Sequence, residues 1–227
     1  MAQFWDETAR DLLARTASGD PTPGGGAAGA VSAAFGVALM EMALHIALER
    51  SWREDAHPER RALLPWLAGQ REHLQTLGQA DARAFGRFVE AARQPGETPE
   101  QAAEREAALE DAARRAAGVP LDLAQTGVRV LERAAEALAL SPTLVVSDVG
   151  AGAGLLAGAV DAARVTVEAN LSRLPAAEAQ ALRDESAALA RRARELADGG
   201  WRGRWRGWKS GRSRIRAADE DPHGRQR

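Results

Sequence analysis

From Ala27 to Leu48 almost every residue is Ala, Gly, Val, Leu or Met, with only Glu41 and His45 ionisable. A helix that is apolar on nearly every face belongs inside a protein rather than on its surface. A second stretch of the same kind follows Asp148. Elsewhere apolar positions recur at three and four residues, the period of an amphipathic helix. The pattern predicts helices over residues 3–16, with Trp5, Ala9, Leu12 and Leu13 on one face, and over 26–50. A third over 58–93 carries Leu63, Leu67, Leu74, Leu77, Phe85, Phe88 and Val89 on its core side. Thr98, Pro99 and Gln101 form a helix-start signature, with Thr98 as cap and Gln101 in the capping-box place. That helix is expected to end at Ala117, where Gly118-Val-Pro120 reads as a turn, and another covers 121–140. Two more follow, over 149–171 and from Pro175 to about Gly199. The only β-like run, Thr143 to Val146, is too short to build a sheet. The expectation is an all-α bundle of about seven helices, whose two Ala/Gly-rich members are buried. If the other helices cannot cover both of them, a second copy must, which predicts a homodimer.

The chain has 227 residues and neither Cys nor Tyr. Without Cys there is no disulfide framework, no thiol nucleophile and no thiolate metal site. The four His lack zinc-like spacing, so no metal site is expected. No signal pattern opens the chain, and Glu41 and His45 interrupt the apolar run, which predicts a cytoplasmic protein rather than a membrane one. Residues 1–198 hold 21 basic and 29 acidic groups, net −8, whereas 199–227 hold 9 and 3, net +6. The domain reading is therefore an acidic helical body over 1–198 and a basic Trp/Arg/Gly-rich tail over 199–227. The tail is expected to lack regular structure. Arg interleaved with Trp permits nucleic-acid contact, though docking on the acidic body is equally open.

Several groups carry candidate chemistry. The turn Gly24-Gly25-Gly26 lets backbone approach a ligand at the start of a helix whose first N–H groups are unpaired, which favours an anion. Asp81 lies four residues after Leu77 and four before Phe85, so its carboxylate shares the packed face and needs a partner or a raised pKa. Arg105 sits on an apolar stripe, where a guanidinium calls for a carboxylate or an anionic ligand. Asp148 opens the second Ala/Gly-rich helix, either as a first-turn acid or as part of a shared pocket. Glu41 and His45, one turn apart, suit either an acid/base pair or a satisfied core pair.

Three blocks, taken in order and spacing, carry a family resemblance: PTPGGGAAGAVSAAFGVALMEM from Pro21, DARAFGRFVEAARQP from Asp81 with AAEREAALEDAARRAAGVPLDLA from Ala102, and SDVGAGAGLLAGAVDAARVTVEANL from Ser147. Together they resemble the cyclodeaminase/cyclohydrolase family of all-helical folate enzymes, over most of residues 3–190. The resemblance implies action on one-carbon derivatives of tetrahydrofolate. These proteins hydrate 5,10-methenyltetrahydrofolate to the 10-formyl form or close 5-formiminotetrahydrofolate with loss of ammonia, with no cofactor beyond the folate. Positions matching the family pattern are Gly24, Gly25, Gly26, Asp81, Arg105, Pro120, Asp148 and Asn170. The implied site has Asp81, Asp148, Glu41 and His45 as catalytic candidates, and Gly24, Gly25, Gly26, Arg105 and Asn170 as substrate contacts. The chain departs from the pattern at Leu140-Ser-Pro-Thr143 and at His45 and Leu48-Glu-Arg50, which leaves a silent ligand-binding or scaffold member as the alternative.

Overall fold

A computed structural model describes the backbone of residues 4–49 and 58–219, and side chains over 5–49 and 58–199. Six α-helices form the fold: α1 (Ala9–Thr16), α2 (Gly25–Glu49), α3 (Pro58–Ala92), α4 (Pro99–Leu140), α5 (Val146–Ala169) and α6 (Ala176–Asp219). Single 3-10 turns at Phe4–Asp6, Thr143–Val145 and Leu171–Arg173 link them, and no strand occurs among the described residues. The all-α expectation holds, with six α-helices where seven were expected.

The difference lies at Pro120. Proline removes one intrahelical N–H and frees the carbonyl four residues earlier, so Gly118-Val-Pro120 reads as a break. Instead α4 runs straight through it. The carbonyl left without its helical donor belongs to Ala116, and the Asn170 side chain fills the vacancy, its Nδ2 donating to Ala116 O at 3.2 Å. Burial of Leu121, Leu123, Ala124 and Val128 on the following turns holds the helix together. A residue 50 positions away therefore repairs what the local sequence breaks.

Other boundaries shift for local reasons. Residues 3–16 are not one helix: Thr8 caps α1, its Oγ1 accepting from the Asp11 N–H at 3.1 Å, and the chain before it makes a 3-10 turn. Trp5 in that turn donates through Nε1 to the Gln75 carbonyl on α3 at 2.8 Å. The Thr98 capping box forms as read, with Gln101 N–H to Thr98 Oγ1 at 3.2 Å and Gln101 Oε1 accepting from the Thr98 N–H at 3.3 Å. The backbone of α6 passes through Gly199 and Gly200 and stays helical to Asp219, where a stop and an irregular tail were expected. Glycine costs a helix about 1 kcal/mol relative to Ala but, unlike proline, keeps its N–H. The basic and Trp side chains of the tail lie outside the described side chains.

Helices α2 and α5 form an antiparallel central pair. Gly25 faces Thr166, Gly29 faces Ala159 and Ala162, and Gly36 faces Gly152. At the last crossing a Cβ on Gly36 would lie 2.7 Å from the Gly152 carbonyl oxygen, and one on Gly152 2.5 Å from that of Gly36. Only glycine lets the two backbones approach this closely. Helix α3 packs on α2, α6 packs on α5, and α4 lies behind the pair, touching α2, α3, α5 and α6. Met40, Leu44, Leu63, Leu67, Leu74, Leu123, Leu131 and Leu156 are fully buried between these layers. Each contributes about 1.5–3 kcal/mol by leaving water. Within the single chain, α2 and α5 are not enclosed on every side. Phe35, Met42, Leu155 and Val165 stand on their outer faces, with Phe35 60% exposed.

Candidate active site

At one end of the central pair, the start of α2, the middle of α3, α4 around Ala116 and the end of α5 surround a cavity of about 340 Å³. Gly24, Gly25, Gly26, Asp81 and Asn170 all line it, as do Thr166, Phe85, Phe88 and Arg173. Five of the nine residues singled out in the sequence thus meet in one place.

The centre of the arrangement is Asp81 against Gly26. A Cβ built on Gly26 would fall inside the Asp81 carboxylate, overlapping Oδ1, Cγ and Oδ2. Gly26 has an ordinary negative φ, as has every glycine among the described residues, so its role is space rather than backbone freedom. That space brings the carboxylate onto the first turn of α2, where it accepts a hydrogen bond from the Ala27 N–H. The helix N-terminus favours the ionised form. Burial outweighs it, and the Asp81 pKa is pushed above the ordinary carboxylate value. The result is an acid that holds its proton more tightly than a surface aspartate and gives it up to a positive charge placed beside it.

Asn170 closes the opposite wall. It follows the last residue of α5, and its Nδ2 donates to Ala116 O and, at 2.8 Å, to Thr166 O. With both amide hydrogens engaged, it offers a ligand only its carbonyl oxygen, an acceptor. Thr166 Oγ1 donates to the Ala162 carbonyl at 3.0 Å. Phe85, 43% exposed, and Phe88 supply an aromatic side. The Arg173 guanidinium lies 5.7 Å from the Phe88 ring centroid and 3.4 Å from Glu106 Oε1, placing a cation at the rim.

The remaining candidates lie elsewhere in the chain. Asp148 occupies the first turn of α5, 22 residues before Asn170, or about 33 Å along the helix axis at 1.5 Å per residue. It does not line the cavity; the residues that follow it, Val149, Gly150 and Ala153, line only a small apolar cleft with Leu138 of α4 and Leu196 of α6. Glu41, 15 residues beyond Gly26 and about 22 Å along α2, is ion-paired to Arg71 of α3 at 2.9 Å, its side chain only 12% exposed. It is therefore engaged by Arg71 rather than by His45, which is exposed. The Arg105 guanidinium lies over Gly96 in the α3–α4 turn, where a Cβ would sit 2.9 Å from Cζ, and it does not line the cavity.

Sequence reasoning missed Arg173 and Thr166, and did not place Phe85 and Phe88 on a cavity wall. The two phenylalanines carry a helical period that marks them as core; Phe88 does pack on Ala91, Leu109 and Ala112 while also lining the cavity, whereas Phe85 lines the cavity and stays largely exposed. Arg173 follows a helix end, where arginines are common and unremarkable.

A sequence model described as Formiminotransferase-cyclodeaminase matches residues 8–188. The chain is 36% identical over 163 residues to the Formimidoyltransferase-cyclodeaminase of Sus scrofa, covering 71% of this chain and 30% of that protein. It is 30% identical over 145 residues to the Methenyltetrahydrofolate cyclohydrolase of Methylorubrum extorquens, covering 64% of this chain and 70% of that protein. The chain thus spans less than a third of the porcine relative and most of the bacterial one. In three dimensions it is similar to a crystal structure of formiminotetrahydrofolate cyclodeaminase from Thermotoga maritima, with TM-score 0.68 at 21% identity, over 85% of this chain and 96% of that one. At that identity the likeness is one of fold.

Proposed function

The chain belongs to the formiminotransferase-cyclodeaminase family, and from that premise we propose that it converts a one-carbon derivative of tetrahydrofolate in the cavity at the glycine end of α2 and α5. The observation that carries the proposal is the Asp81 carboxylate seated in the space left by Gly26, with its proton affinity raised by burial.

The chemistry of the substrate class suits that group. In 5,10-methenyltetrahydrofolate the bridging carbon sits in a cationic amidinium, which a desolvated carboxylate stabilises more strongly than water does. Asp81 accepts a proton as water adds to that carbon, the bond from carbon to N5 breaks, and the carbonyl of the 10-formyl product forms. One water enters and one proton leaves. In the deamination direction N10 attacks the formimino carbon, the bond to the exocyclic nitrogen breaks, and Asp81 in its protonated form supplies a proton to the departing ammonia. Asn170, reduced to an acceptor, suits the N–H groups of a pterin ring; Phe85 and Phe88 suit its flat face. Arg173 suits a glutamate carboxylate reaching past the rim, the role that Arg105 was expected to fill. A cavity of this size is at the lower end for a small-molecule site, about 300–1,000 Å³, so the ring system fits inside and the benzoyl-glutamate extends outward.

Hydration is the first reading, because the cyclohydrolase relative is matched over 70% of its length. Deamination is the second, carried by the names of the other relatives. The test follows absorbance of 5,10-methenyltetrahydrofolate with each substrate in turn. Accelerated loss supports hydration, and accelerated appearance from the 5-formimino compound supports deamination. No acceleration of either overturns the enzyme and favours a silent member.

A further inference from the structure

A second cavity, of about 380 Å³, lies between α3 and α4. Ala84 is the one residue it shares with the cavity that holds Asp81. The two hollows take neighbouring stripes of α3: Asp81, Phe85 and Phe88 line the first, Arg83 and Arg87 the second. The folate reaction needs nothing from this second stripe. Its floor is apolar, from Leu77, Ala80 and Ala84 of α3 and Val119 of α4, and a third guanidinium, that of Arg115, joins it from α4.

The charge of the cavity is out of balance. Elsewhere on these two helices arginines meet acids: Arg71 meets Glu41, Arg114 meets Glu110 and Glu178, and Arg133 meets Glu136. Arg83 and Arg87 form no ion pair or hydrogen bond among the described residues, and, one turn apart on one helix, they repel each other. Arg115 donates through Nε to Asp111 at 2.8 Å, which leaves its two terminal nitrogens with their N–H donors unspent. Asp111 is the acid that answers the group. Its carboxyl is held below the ordinary range, first by the Arg115 hydrogen bond and at longer range by Arg115, Arg114 and Arg87. Asp122, at the other side of the lining, is already engaged by His73 at 3.0 Å and by Arg129 at 4.0 Å. Three guanidiniums thus face one acid, an excess of two positive charges.

Gly118 adds the room. It is exposed in the middle of α4, and a Cβ there would meet nothing within 4 Å. The packing of the chain does not call for glycine at this position, where glycine weakens a helix. Its missing side chain leaves space in the cavity instead.

We infer that this cavity is a second ligand site, one that takes a phosphate monoester carried on a flat apolar body. A phosphoryl group brings about −1.5 to −2 charges at neutral pH and three acceptor oxygens. That charge matches the excess, and the oxygens let three guanidinium forks share one group. A carboxylate brings a single charge and leaves an arginine unanswered. Ala80 and Ala84, one turn apart, make a floor without long side chains, on which a ring can lie. The volume is within the range of small-molecule sites, about 300–1,000 Å³. With only Ala84 in common, this site stands or falls apart from the folate reading.

Isothermal titration of the full chain with phenyl phosphate, inorganic phosphate and benzoate tests the site. Phenyl phosphate is expected to bind with a Kd below about 1 mM, and the other two at least about tenfold more weakly. Arg83→Gln with Arg87→Gln should weaken phenyl phosphate at least about tenfold and leave helical circular dichroism unchanged, because neither side chain holds another residue. Gly118→Leu should abolish binding by filling the cavity, with a melting temperature equal to or above wild type, since Leu is the better helix former. This variant also decides the matter should the double arginine variant fail to fold. No binding of phenyl phosphate up to about 1 mM, or binding that survives in either variant, overturns the site. Benzoate that binds as tightly as phenyl phosphate overturns the phosphoryl group, and inorganic phosphate that does so overturns the apolar body.

Discussion

Asp81 and Asp148 look alike in the sequence: each is an acid set against glycine-rich helical surroundings, and each matches a family position. The fold treats them oppositely. Asp81 reaches the start of α2 from a neighbouring helix, occupies the space left at Gly26 and faces a cavity with aromatic, amide and guanidinium walls. Asp148 stays in the first turn of its own helix, about 33 Å from Asn170 along α5, and does not line the cavity. An acid near glycine becomes a candidate for chemistry when a second element makes room for it. An acid at a helix start alone serves that helix.

The contrast can be broken by mutation, starting where most is at stake. Asp81→Asn should lower turnover by about 10²–10⁴-fold, the range a positioned proton carrier supplies, with the helical fold intact; a rate within a few fold of wild type breaks the contrast. Gly26→Ala comes next. Its Cβ cannot coexist with the Asp81 carboxylate, so the carboxylate must leave the Ala27 N–H, and turnover should fall about 10–10²-fold while KM changes less. Asn170→Leu tests the helix repair: it leaves the part-buried Ala116 carbonyl without its amide donor, for a loss of about 1 kcal/mol in chemical denaturation, whereas an unchanged midpoint means that water takes the place of the amide.

Smaller is the effect of Asp81 on stability. Because its folded pKa is raised, it contributes stability below its unfolded pKa and loses that contribution as pH rises through the folded pKa. Asp81→Asn should therefore melt higher than wild type at neutral pH, and the gap should close in acid below about pH 4. A gap that widens in acid contradicts the sign. Smallest of all, Asp148→Asn should leave turnover within about twofold, with a slight loss of stability from the helix start.

Much of the fold can be read from local signals. The Thr98–Gln101 capping box, the period of α3 and the bounds of α2 follow from spacing and propensity, which act within a few residues. The site is half legible by the same rule. Gly26 and Asp81 each break a local expectation, an acid on a packed face and a glycine opening a long apolar helix, and such breaks are where function is stored. What spacing cannot give is which ends meet. The antiparallel packing of α2 on α5 brings Asn170 to the glycine turn and carries Asp148 away from it, a fact decided by tertiary contacts at Gly36 and Gly152. Pro120 shows the same limit: it reads as a break because its remedy lies 50 residues later.

The most direct measurement is the pH dependence of kcat/KM for hydration of 5,10-methenyltetrahydrofolate in wild type, Asp81→Asn and Asp148→Asn. The account predicts a limb rising with pH through an apparent pKa above the usual aspartate value of about 3.9, kept in Asp148→Asn and lost in Asp81→Asn. A limb that survives in Asp81→Asn and vanishes in Asp148→Asn would place the chemistry at the other end of the helix pair.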